Sequence, residues 1–419
     1  MSINKKLFLV FGLVYSFNGF SQTINSPYSQ RDIGNLAREG YSQIRGIGGT
    51  SLAIRSSNYI NYVNPASYTS QDTSTFLFDI GLIGKYKQLS SSKGNASDQF
   101  LNLNNIGLGI PVYKWWKFSL GMVPYSRVGY NIKDESDQQG FEVTDYYEGM
   151  GGINQFYFGN AFSFWNKVSI GLNVSYYFGE IDHVSEKHAD TIKVERTKNT
   201  CVLNGLRFNG GIQYHDKINE DLGITIGVIY GNKTAMKSTC DSLVETTPSS
   251  LSDQNFIRDT IINKTNIKQD VDLPMKYGAG IAITYKDKWL IGLDYKQGNW
   301  GTLSNQGMYK TLGDMSSINF GVELIPERHS LKYYWKRMRY RIGAFYEKNR
   351  RIINGTQLEN RGISVGLGFP LKYSSTTFNI SYEFNKFGTT EKNLILMNNH
   401  TILFNISFHD IWFVKPKIR

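Results

Sequence analysis

The feature that most restricts the fold of this chain is a two-residue alternation that carries almost no charge. In residues 168–178, VSIGLNVSYYF, every second side chain is apolar or aromatic, and those between are mostly serine, glycine and asparagine. A β-strand points alternate side chains to opposite faces of its sheet. The outer face of a soluble sandwich would carry charge, whereas a small polar face opposite an apolar one fits a barrel with lipid outside and a polar or filled lumen inside.

The alternation recurs often enough for the strands to be counted. Fourteen segments qualify, an even number as in single-chain bacterial barrels. Their connections are alternately short and long, and we expect the short turns on the periplasmic side and the long loops, 132–150, 183–201, 238–272 and 299–314, outside the cell. The predicted fold is all-β, a 14-stranded antiparallel transmembrane β-barrel. Its predicted strands are residues 73–89, 100–112, 116–131, 151–165, 167–182, 202–215, 222–237, 273–286, 289–298, 315–325, 336–347, 360–372, 375–387 and 399–413.

The composition agrees with a barrel and argues against membrane-spanning helices. After residue 22 no apolar run reaches the roughly 18 residues that a transmembrane helix needs, and the mean hydropathy is -0.35. Aromatic residues make up 14% of the chain and charged residues 19%, with 41 glycines. An aromatic-rich, glycine-rich chain with little charge is typical of an outer-membrane barrel.

The tryptophans test which end of the barrel is periplasmic and which end faces outward. Indole favours the membrane–water interface, where its ring is buried and its N–H stays hydrated. Trp300 alone lies at the predicted outer end. The other six fall at or beside predicted periplasmic turns or the end of the last strand: Trp115, Trp116, Trp165, Trp289, Trp335 and Trp412. One rim therefore carries nearly all the tryptophan, as the predicted topology requires.

The first 22 residues have the pattern of a secretory signal peptide. Lysines at positions 5 and 6 precede an apolar run over 7–17, which is too short to span a bilayer as a helix. Small and polar residues follow, with cleavage expected after Gln22. We therefore predict an exported protein of the cell outer membrane of a Gram-negative bacterium.

Between the signal peptide and the first strand lies a turn-rich segment, residues 23–72, that also contains apolar side chains. Gly46, Gly48 and Gly49 allow close backbone approach and left-handed turns. A linker would not carry so many apolar residues. We predict that this segment folds into the lumen as a plug, that 73–413 forms the barrel, and that 414–419 is a basic periplasmic tail.

One turn within this segment is specified by an Asn-Pro-Ala triplet. Pro65 fixes its own φ, and the preceding Asn64 is pushed to an extended conformation. Ala66 completes the triplet in NYVNPASY. We therefore predict a plug turn at residues 64–66.

Charged side chains are expected inside the lumen. By alternation, five point inward: Arg207, Arg339, Arg341, Asp294 and Glu383. An arginine there can hold a ligand carboxylate, bidentately if the geometry allows. The favoured alternative is an ion-pair network that fastens the wall to the plug through Asp32, Arg31 or Arg38.

The only two cysteines, Cys201 and Cys240, are expected to form a disulfide. An even cysteine count in an oxidising compartment usually means a bridge. Both lie about 20 residues from the turn near Asn219, so the two ends of the hairpin reach nearly the same height. The loop 241–272 above them carries apolar residues, and we expect it to fold down as a cap. Those residues are Leu243, Val244, Leu251, Phe256, Ile261 and Ile262.

Four stretches resemble the FadL-type outer-membrane transporters (OMPP1/FadL/TodX-like), and more closely their relatives in Bacteroidota. They are SPYSQRDIGNL, GIGGTSLA, NYVNPASY and the terminal WFVKPKIR. The resemblance covers nearly the whole mature chain and implies a plugged fourteen-stranded barrel. Family members carry long-chain fatty acids, aromatic hydrocarbons or other hydrophobic molecules, and one branch serves instead as a partner barrel in protein secretion. Fold resemblance does not decide between these roles.

Pro124 is the only one of nine prolines inside a predicted strand, the third. Proline cannot donate a ladder hydrogen bond, and a barrel in lipid leaves no backbone group unpaired unless protein or water covers it. We therefore expect a kink or gap at Pro124. The resemblance implies that a bent third strand opens the wall sideways, which makes Pro124 a candidate lateral gate; a tolerated bulge without transport is the alternative.

The sequence predicts no enzyme, no cofactor and no metal site. His183 and His188 have neither the spacing of a helical zinc pair nor that of a closed site, and GIGG lacks the strand–turn–helix setting of a nucleotide loop. The formal net charge is +11. For an exported protein this favours contact with membrane lipids and lipopolysaccharide phosphates over nucleic acid.

Two functions remain open, with a general porin as a weaker third that an ordered plug would prevent. The first is an outer-membrane transporter for a hydrophobic small-molecule ligand. The second is an accessory or structural barrel subunit of an outer-membrane protein secretion or assembly complex. A continuous apolar pocket behind a wall gap favours the first, and a filled lumen with an apolar patch on the outer loops favours the second. In either case the barrel-assembly machinery is an expected partner during biogenesis, because the last strand ends in aromatics.

Overall fold

A computed structural model describes most of the chain after the predicted signal peptide. The described residues are 26–73, 75–92, 94–138, 141–189, 192–247, 259–304, 309, 311–372 and 374–411. The predicted signal peptide, Trp412 and the predicted basic tail lie outside them. Within the described ranges, no helix has the length and apolar character needed to cross a membrane.

The structure confirms a closed 14-stranded antiparallel barrel. The first strand, β1, is a two-residue strand of the N-terminal segment, and β17 closes the barrel by pairing with β2. Two of the barrel strands are interrupted. One consists of β8 followed by β9, and the other consists of β10 followed by β11. The strands are β1 (Asn35–Leu36), β2 (Thr75–Ser91), β3 (Gly94–Pro111), β4 (Trp116–Gln138), β5 (Phe141–Phe164), β6 (Val168–Ala189), β7 (Ile192–Lys217), β8 (Leu222–Gly231), β9 (Thr234–Thr247), β10 (Asp259–Leu273), β11 (Lys276–Tyr285), β12 (Trp289–Gly298), β13 (Met315–Leu324), β14 (Arg339–Ile353), β15 (Thr356–Pro370), β16 (Thr377–Phe387) and β17 (Leu396–Ile411).

The two faces of the wall follow the alternation in the sequence. On β6, Ile170 and Leu172 are 44% and 47% exposed on the outside, whereas Ser169 and Asn173 are buried inside. Apolar side chains therefore face outward along the membrane-spanning part, as in a barrel surrounded by lipid. The small inward residues leave room for chain inside the barrel.

Six strands continue far beyond the length that a membrane requires. About nine to eleven tilted residues cross a bilayer, but β5 has 24 residues and β7 has 26. We call the protruding parts the outer sheet; they comprise residues 128–138, 141–152, 180–189, 192–205, 234–247 and 259–273. The prediction of long loops at 132–150, 183–201 and 238–272 was therefore wrong for their described residues, which are mostly strand. Charged and polar residues dominate the ends of these strands and hide the alternation there, whereas apolar side chains are buried only near their bases.

The outer sheet begins where two neighbouring strands are interrupted at the same level. The β8 strand ends at Gly231, opposite the start of β11 at Lys276, and β9 and β10 resume the pairing on the far side. Asn232 reconnects the break to β7, because its side-chain oxygen accepts from Phe208 N at 2.9 Å and its own backbone N–H donates to Phe208 O at 3.3 Å. A side chain here replaces a missing backbone partner.

A disulfide joins Cys201 of β7 to Cys240 of β9 within the outer sheet, with a Cα separation of 4.1 Å. The two residues are direct cross-strand partners. The expected apolar cap over 241–272 is wrong for the described residues, because they form a β-hairpin on which Ile261 and Ile262 stay 58% and 40% exposed; Leu251 and Phe256 lie outside the described residues. The loop after β12 does fold onto the apolar cluster that the bases of the outer-sheet strands bury; its residues there are Trp300, Leu303, Tyr309 and Leu312.

The ladder between β3 and β4 is incomplete. It runs from Pro111 to Ile106 on β3 and stops at Met122 on β4. We call the unpaired stretch between residues 94–105 of β3 and 123–138 of β4 the seam. On its other edge, β4 pairs with β5 through an irregularity between Pro124 and Ser126.

Residues 26–73, the N-terminal segment, lie inside the barrel. The segment contains two short 3₁₀ helices, Pro27–Gln30 and Pro65–Ser70, and a short α-helix, α1 (Ser42–Gly46). Its apolar side chains Ile44, Leu52 and Ile54 are fully buried. Part of the segment also crosses the seam, because β1 pairs with Ser126 and Arg127 of β4. The N-terminal segment therefore takes the place that β3 leaves vacant on the edge of β4.

Candidate functional site

One carboxylate of the wall holds the N-terminal segment at two points. Arg45 Nε donates to Glu383 Oε2 at 2.8 Å, and Arg38 Nη1 lies 2.5 Å from the same oxygen. Arg38 also stacks over the ring of Phe345 at 3.3 Å from its centroid. All three charged groups are removed from bulk water, so the pairs are only weakly screened by salt.

In a second ionic contact the carboxylate belongs to the N-terminal segment and the cations belong to the wall. Glu39 of the N-terminal segment forms an ion pair with Lys276 of β11, and Lys296 of β12 lies 3.9 Å away. Burial on its own would raise the pKa of Glu39, but the two ammonium groups outweigh it and lower the pKa from 4.5 to about 2. Glu39 is therefore ionised at neutral pH, and its charge is matched by the wall.

Asp294 of β12 binds the backbone of the N-terminal segment. Its Oδ2 accepts from Ser51 N at 2.6 Å and from Leu52 N at 2.9 Å. Lys296, two residues along the same inward face, donates to Ser51 Oγ at 2.8 Å. A predicted lumen carboxylate thus caps backbone donors that would otherwise be buried without partners.

The two predicted arginines of β14 meet on Glu323 of β13. Arg339 Nη1 donates to Glu323 Oε1 at 3.0 Å, and Arg341 Nε donates to Glu323 Oε2 at 2.6 Å. Arg339 Nη2 also donates to Asn58 Oδ1 of the N-terminal segment at 2.9 Å. The fifth predicted charge, Arg207, donates through Nη2 to the Pro274 carbonyl at 2.8 Å.

The five predicted lumen charges are thus all inside, but they are not one ligand site. Glu383, Asp294 and Arg339 contact the N-terminal segment, while Arg341 and Arg207 contact the wall. Of the predicted anchoring partners, Arg38 pairs with Glu383, and Asp32 lies 3.9 Å from Arg350 of β14. These contacts have the form of an anchoring network rather than of a carboxylate clamp.

The glycine cluster allows backbone to touch backbone. Gly48 has φ +72, and its N–H donates to Ser364 Oγ at 2.9 Å. A Cβ at Gly343 of β14 would overlap the Gly48 nitrogen. Gly49 follows with φ +87, and Gly46 ends α1. The cluster therefore lets the segment lie directly on the wall.

The Asn-Pro-Ala triplet begins the second 3₁₀ turn of the segment. Asn64 Oδ1 accepts from Ala66 N at 3.1 Å, and Asn64 Nδ2 donates to Leu52 O at 2.7 Å. Asn64 is extended, with φ -118, and Pro65 starts the turn. Pro65 packs so closely on Gly171 of β6 that a Cβ there would overlap its carbonyl carbon. The triplet thus fixes how the chain turns back toward the first barrel strand.

Two cavities of about 150 Å³ each lie on either side of residues 36–38. Pro124 lines both. The first cavity contains Glu39 and its lysines, and the second lies between the N-terminal segment and β2, β3 and β14–β17. The first is lined by Glu39, Arg207, Lys276, Lys296, Tyr125 and Tyr177 among others. The second is lined by Lys85, Lys87, Arg127, Glu347, Asn102 and Asn104 among others. Neither is a continuous apolar pocket.

Several charged residues of the lumen were not singled out from the sequence. Lys85 and Lys87 share the inward face of β2 with Asp79, so the alternation itself could have identified them. Glu323 likewise follows from the alternation of β13. No signal marks Glu39, because it lies outside any periodic element and its partners are more than 200 residues away in the chain.

The histidines do not assemble a metal site. His183 lies on β6, where its Nδ1 is 2.6 Å from Tyr130 Oη, and not in an exposed loop. His188 Nε2 is 3.5 Å from Glu186 Oε2. Among the residues that the structure describes, no three metal-ligating side chains cluster.

The fold is shared with solved hydrophobic-compound channels. The structure of a FadL homologue from Pseudomonas aeruginosa matches with a TM-score of 0.61 at 11% identity, covering 91% of this chain and 100% of that one. The toluene transporter TbuX of Ralstonia pickettii matches at 0.58 and 11% identity, over 90% and 99%. The Pseudomonas putida toluene transporter TodX matches at 0.58 and 13%, over 92% and 100%. At such low identity the likeness shows the fold alone.

The family assignment differs from that fold likeness. The family model BamG matches residues 3–419, which is almost the whole chain. No curated protein matches the chain. The resemblance to FadL-type transporters is thus supported as a resemblance of fold, while the matching family carries another name.

Proposed function

Since the chain belongs to the BamG family, we propose that it is an accessory or structural β-barrel subunit of an outer-membrane protein secretion or assembly complex. The family name is in keeping with a Bam-related role. The proposal places the barrel in the outer membrane of a Gram-negative bacterium, with membrane lipids and lipopolysaccharide around its apolar belt. Its assignment to a Bacteroidota branch remains a prediction from the sequence.

The observation that carries this proposal is the outer sheet, whose last strand has a free edge. β10 pairs with β9 on one side, and between residues 259 and 270 the described chain offers no partner on the other. Exposed backbone donors and acceptors on such an edge are a template for pairing with another chain. Ile261, Ile262 and Ile267 stay exposed on the same strand. A strand of this kind, outside the membrane, suits a protein partner.

The filled interior supports the same role. The N-terminal segment is tied to the wall by buried ion pairs, by capped backbone groups and by direct glycine contacts. The remaining cavities are lined with arginine, lysine and glutamate, and a hydrophobic solute passing them would desolvate these charges without replacing their partners. We propose that the segment acts as a permanent plug and that the barrel serves as a platform.

Co-purification tests the proposal directly. The tagged chain is extracted from outer membranes in mild detergent, and the proteins retained with it are identified by mass spectrometry. We expect stable outer-membrane partners, and we expect Ile261→Asp with Ile267→Asp to release them. Lys264→Gln on the same strand is the matched control and should retain them. A chain that purifies alone from native membranes, with unchanged outer-membrane protein levels in a deletion strain, would contradict the proposal.

A second candidate, a transporter for hydrophobic small molecules such as long-chain fatty acids or aromatic hydrocarbons, is favoured by the seam. A wall gap next to Pro124 is what lateral release into the membrane would need. The solved channels with this fold are described as toluene and monoaromatic hydrocarbon channels. This candidate predicts that Pro124→Val lowers uptake of a hydrophobic compound by whole cells without unfolding the barrel. Unchanged growth of a deletion strain on hydrophobic carbon sources would exclude it.

A further inference from the structure

The second cavity lies directly behind the seam. Its lining includes Asn102, Leu103 and Asn104 of the free edge of β3, and Pro124 and Arg127 of the opposite edge. The β3–β4 ladder that would separate this space from the outside ends at Met122, and beyond it β1 pairs with β4, so the gap in the wall lies between the free edge of β3 and β1. The cavity therefore adjoins the one interruption of the wall that the described barrel shows between β3 and β4.

The position of the seam along β4 places this interruption within the membrane. Met122 is only the seventh residue of β4 counted from Trp116 at the predicted periplasmic turn. Since about nine to eleven residues are needed to cross, the seam opens within the outer half of the bilayer. Leu103, on the β3 edge, is 37% exposed and offers an apolar surface there. A lipid with its acyl chains in the outer leaflet is thus close enough for its head group to reach the cavity.

The cavity has an excess of positive charge. Five cationic side chains line it against two carboxylates, Glu347 and Glu383. Glu383 is already shared by Arg38 and Arg45. Lys85 and Arg127 form no ion pair with any carboxylate of the described chain, and the nearest polar partner of Arg127 is Asn154 Oδ1 at 3.1 Å. Charge held away from bulk water without a counter-charge is costly, and a bound anion would balance it.

Amide side chains complete the lining. Besides Asn35 of the N-terminal segment, six asparagines of the wall line the cavity: Asn102, Asn104, Asn349, Asn360, Asn385 and Asn399. Amide N–H groups and cations together are the donors that phosphate oxygens accept from. Phe100, Phe387 and Met397 border the same space and give it an apolar side. The lining thus combines polar and cationic side chains with an apolar side.

We propose that the cavity behind the seam binds a phosphoryl group, and that the phosphate-bearing head group of an outer-leaflet lipid reaches it through the seam. Free phosphate offers the same chemistry and is the other possible source. Lys85 and Arg127 contribute the uncompensated charge, and the asparagines contribute neutral donors. This inference goes beyond the role proposed above and does not depend on it, because an accessory barrel and a transporter would both carry the site.

The test compares the protein with a double variant that removes the unpaired charge. Wild type and Lys85→Gln with Arg127→Gln are purified from outer membranes, and retained phosphate-bearing lipids are counted by native mass spectrometry. We expect at least about tenfold less retained lipid in the variant, which corresponds to about 1.4 kcal/mol of binding free energy. Lys264→Gln, on the outer sheet, is the matched control and should behave as wild type.

A second arm distinguishes the two sources of phosphate. Delipidated protein is titrated with inorganic phosphate and with vesicles of phosphatidylglycerol or phosphatidylcholine while its Tm is followed. A rise in Tm with anionic vesicles alone identifies the lipid head group, and a rise with inorganic phosphate alone identifies the free anion. Lys85→Arg with Arg127→Lys keeps the charge and should retain the effect, which guards against a folding defect. Equal lipid retention and equal Tm response in wild type and the Gln variant would overturn the proposal.

Discussion

Arg38 and Glu383 stand more than 340 positions apart in the chain and form an ion pair of 2.5 Å inside the barrel. Arg45 uses the same carboxylate from the end of α1. A single wall carboxylate thus holds two positions of the N-terminal segment that lie seven residues apart.

Replacing Glu383 should loosen the N-terminal segment. Glu383→Gln leaves two buried guanidinium groups without a counter-charge, and breaking a buried pair in this way costs about 3 to 5 kcal/mol. We expect a lower Tm in detergent and faster proteolysis within residues 26–73. Glu220→Gln, in the exposed turn after β7, removes the same charge without a partner and should change neither. Equal protease resistance of both variants would show that the ion pairs do not hold the segment.

The contact of Glu39 with the wall should weaken in acid. The folded-state pKa of Glu39 is lowered to about 2 from 4.5, so its stabilising effect is fully present above pH 4.5 and is lost as the pH falls from 4.5 toward 2. We expect protease access to the N-terminal segment to rise over that range. Glu39→Gln should remove this part of the pH dependence while leaving the rest. A Gln variant with the same acid profile as wild type would argue that other carboxylates govern it.

The backbone contact between Gly48 and Gly343 should not tolerate a side chain. Gly343→Ala places a Cβ against the Gly48 nitrogen, and overpacking of this kind costs about 1 to 3 kcal/mol or more. We expect a lower temperature for the electrophoretic shift between folded and unfolded barrel. Gly84→Ala, on β2, meets its nearest neighbour at 3.7 Å and should be tolerated. If both variants shift equally, the close contact is not what limits the site.

Removing the disulfide should affect the outer sheet more than the membrane-spanning wall. Cys201 and Cys240 are separated by 39 positions, and in the chain-entropy model such a bridge contributes about 4 kcal/mol. We expect Cys201→Ser with Cys240→Ser to speed hydrogen exchange in β9, β10 and the outer part of β7. Exchange in β12–β16 serves as the internal reference. Uniform exchange changes across the whole barrel would contradict a local role.

The membrane-spanning barrel was predictable because apolar and small polar side chains alternate along its strands. Alternation gave the strand count and placed residues such as Asp294 and Arg341 inside, since one face must meet lipid. The same argument failed for the outer sheet, because the ends of its strands carry mostly charged and polar residues, and only their bases bury apolar side chains such as Ile181, Leu203 and Met236. Strands such as β9 and β10 are held by their neighbours and a disulfide rather than by their own pattern.

The interruption of the wall was predictable only in part. Pro124 predicts an irregular third barrel strand, because it has no N–H to donate, and the β3–β4 ladder does stop two residues before it. Nothing local indicates that β1 supplies the replacement edge. That pairing, between Leu36 and Ser126, depends on how the whole segment is seated and cannot be found from a short window of sequence.

The position of the N-terminal segment also bears on how the barrel is built. Gln43 donates to Asn405 and Ser407 of β17, each at 2.6 Å, and β17 is the strand that closes on β2. These contacts face inward, so a segment that entered after closure would have to pass through an end of the barrel. The N-terminal segment therefore takes part in the closure itself, because it hydrogen-bonds the strand that completes the cylinder.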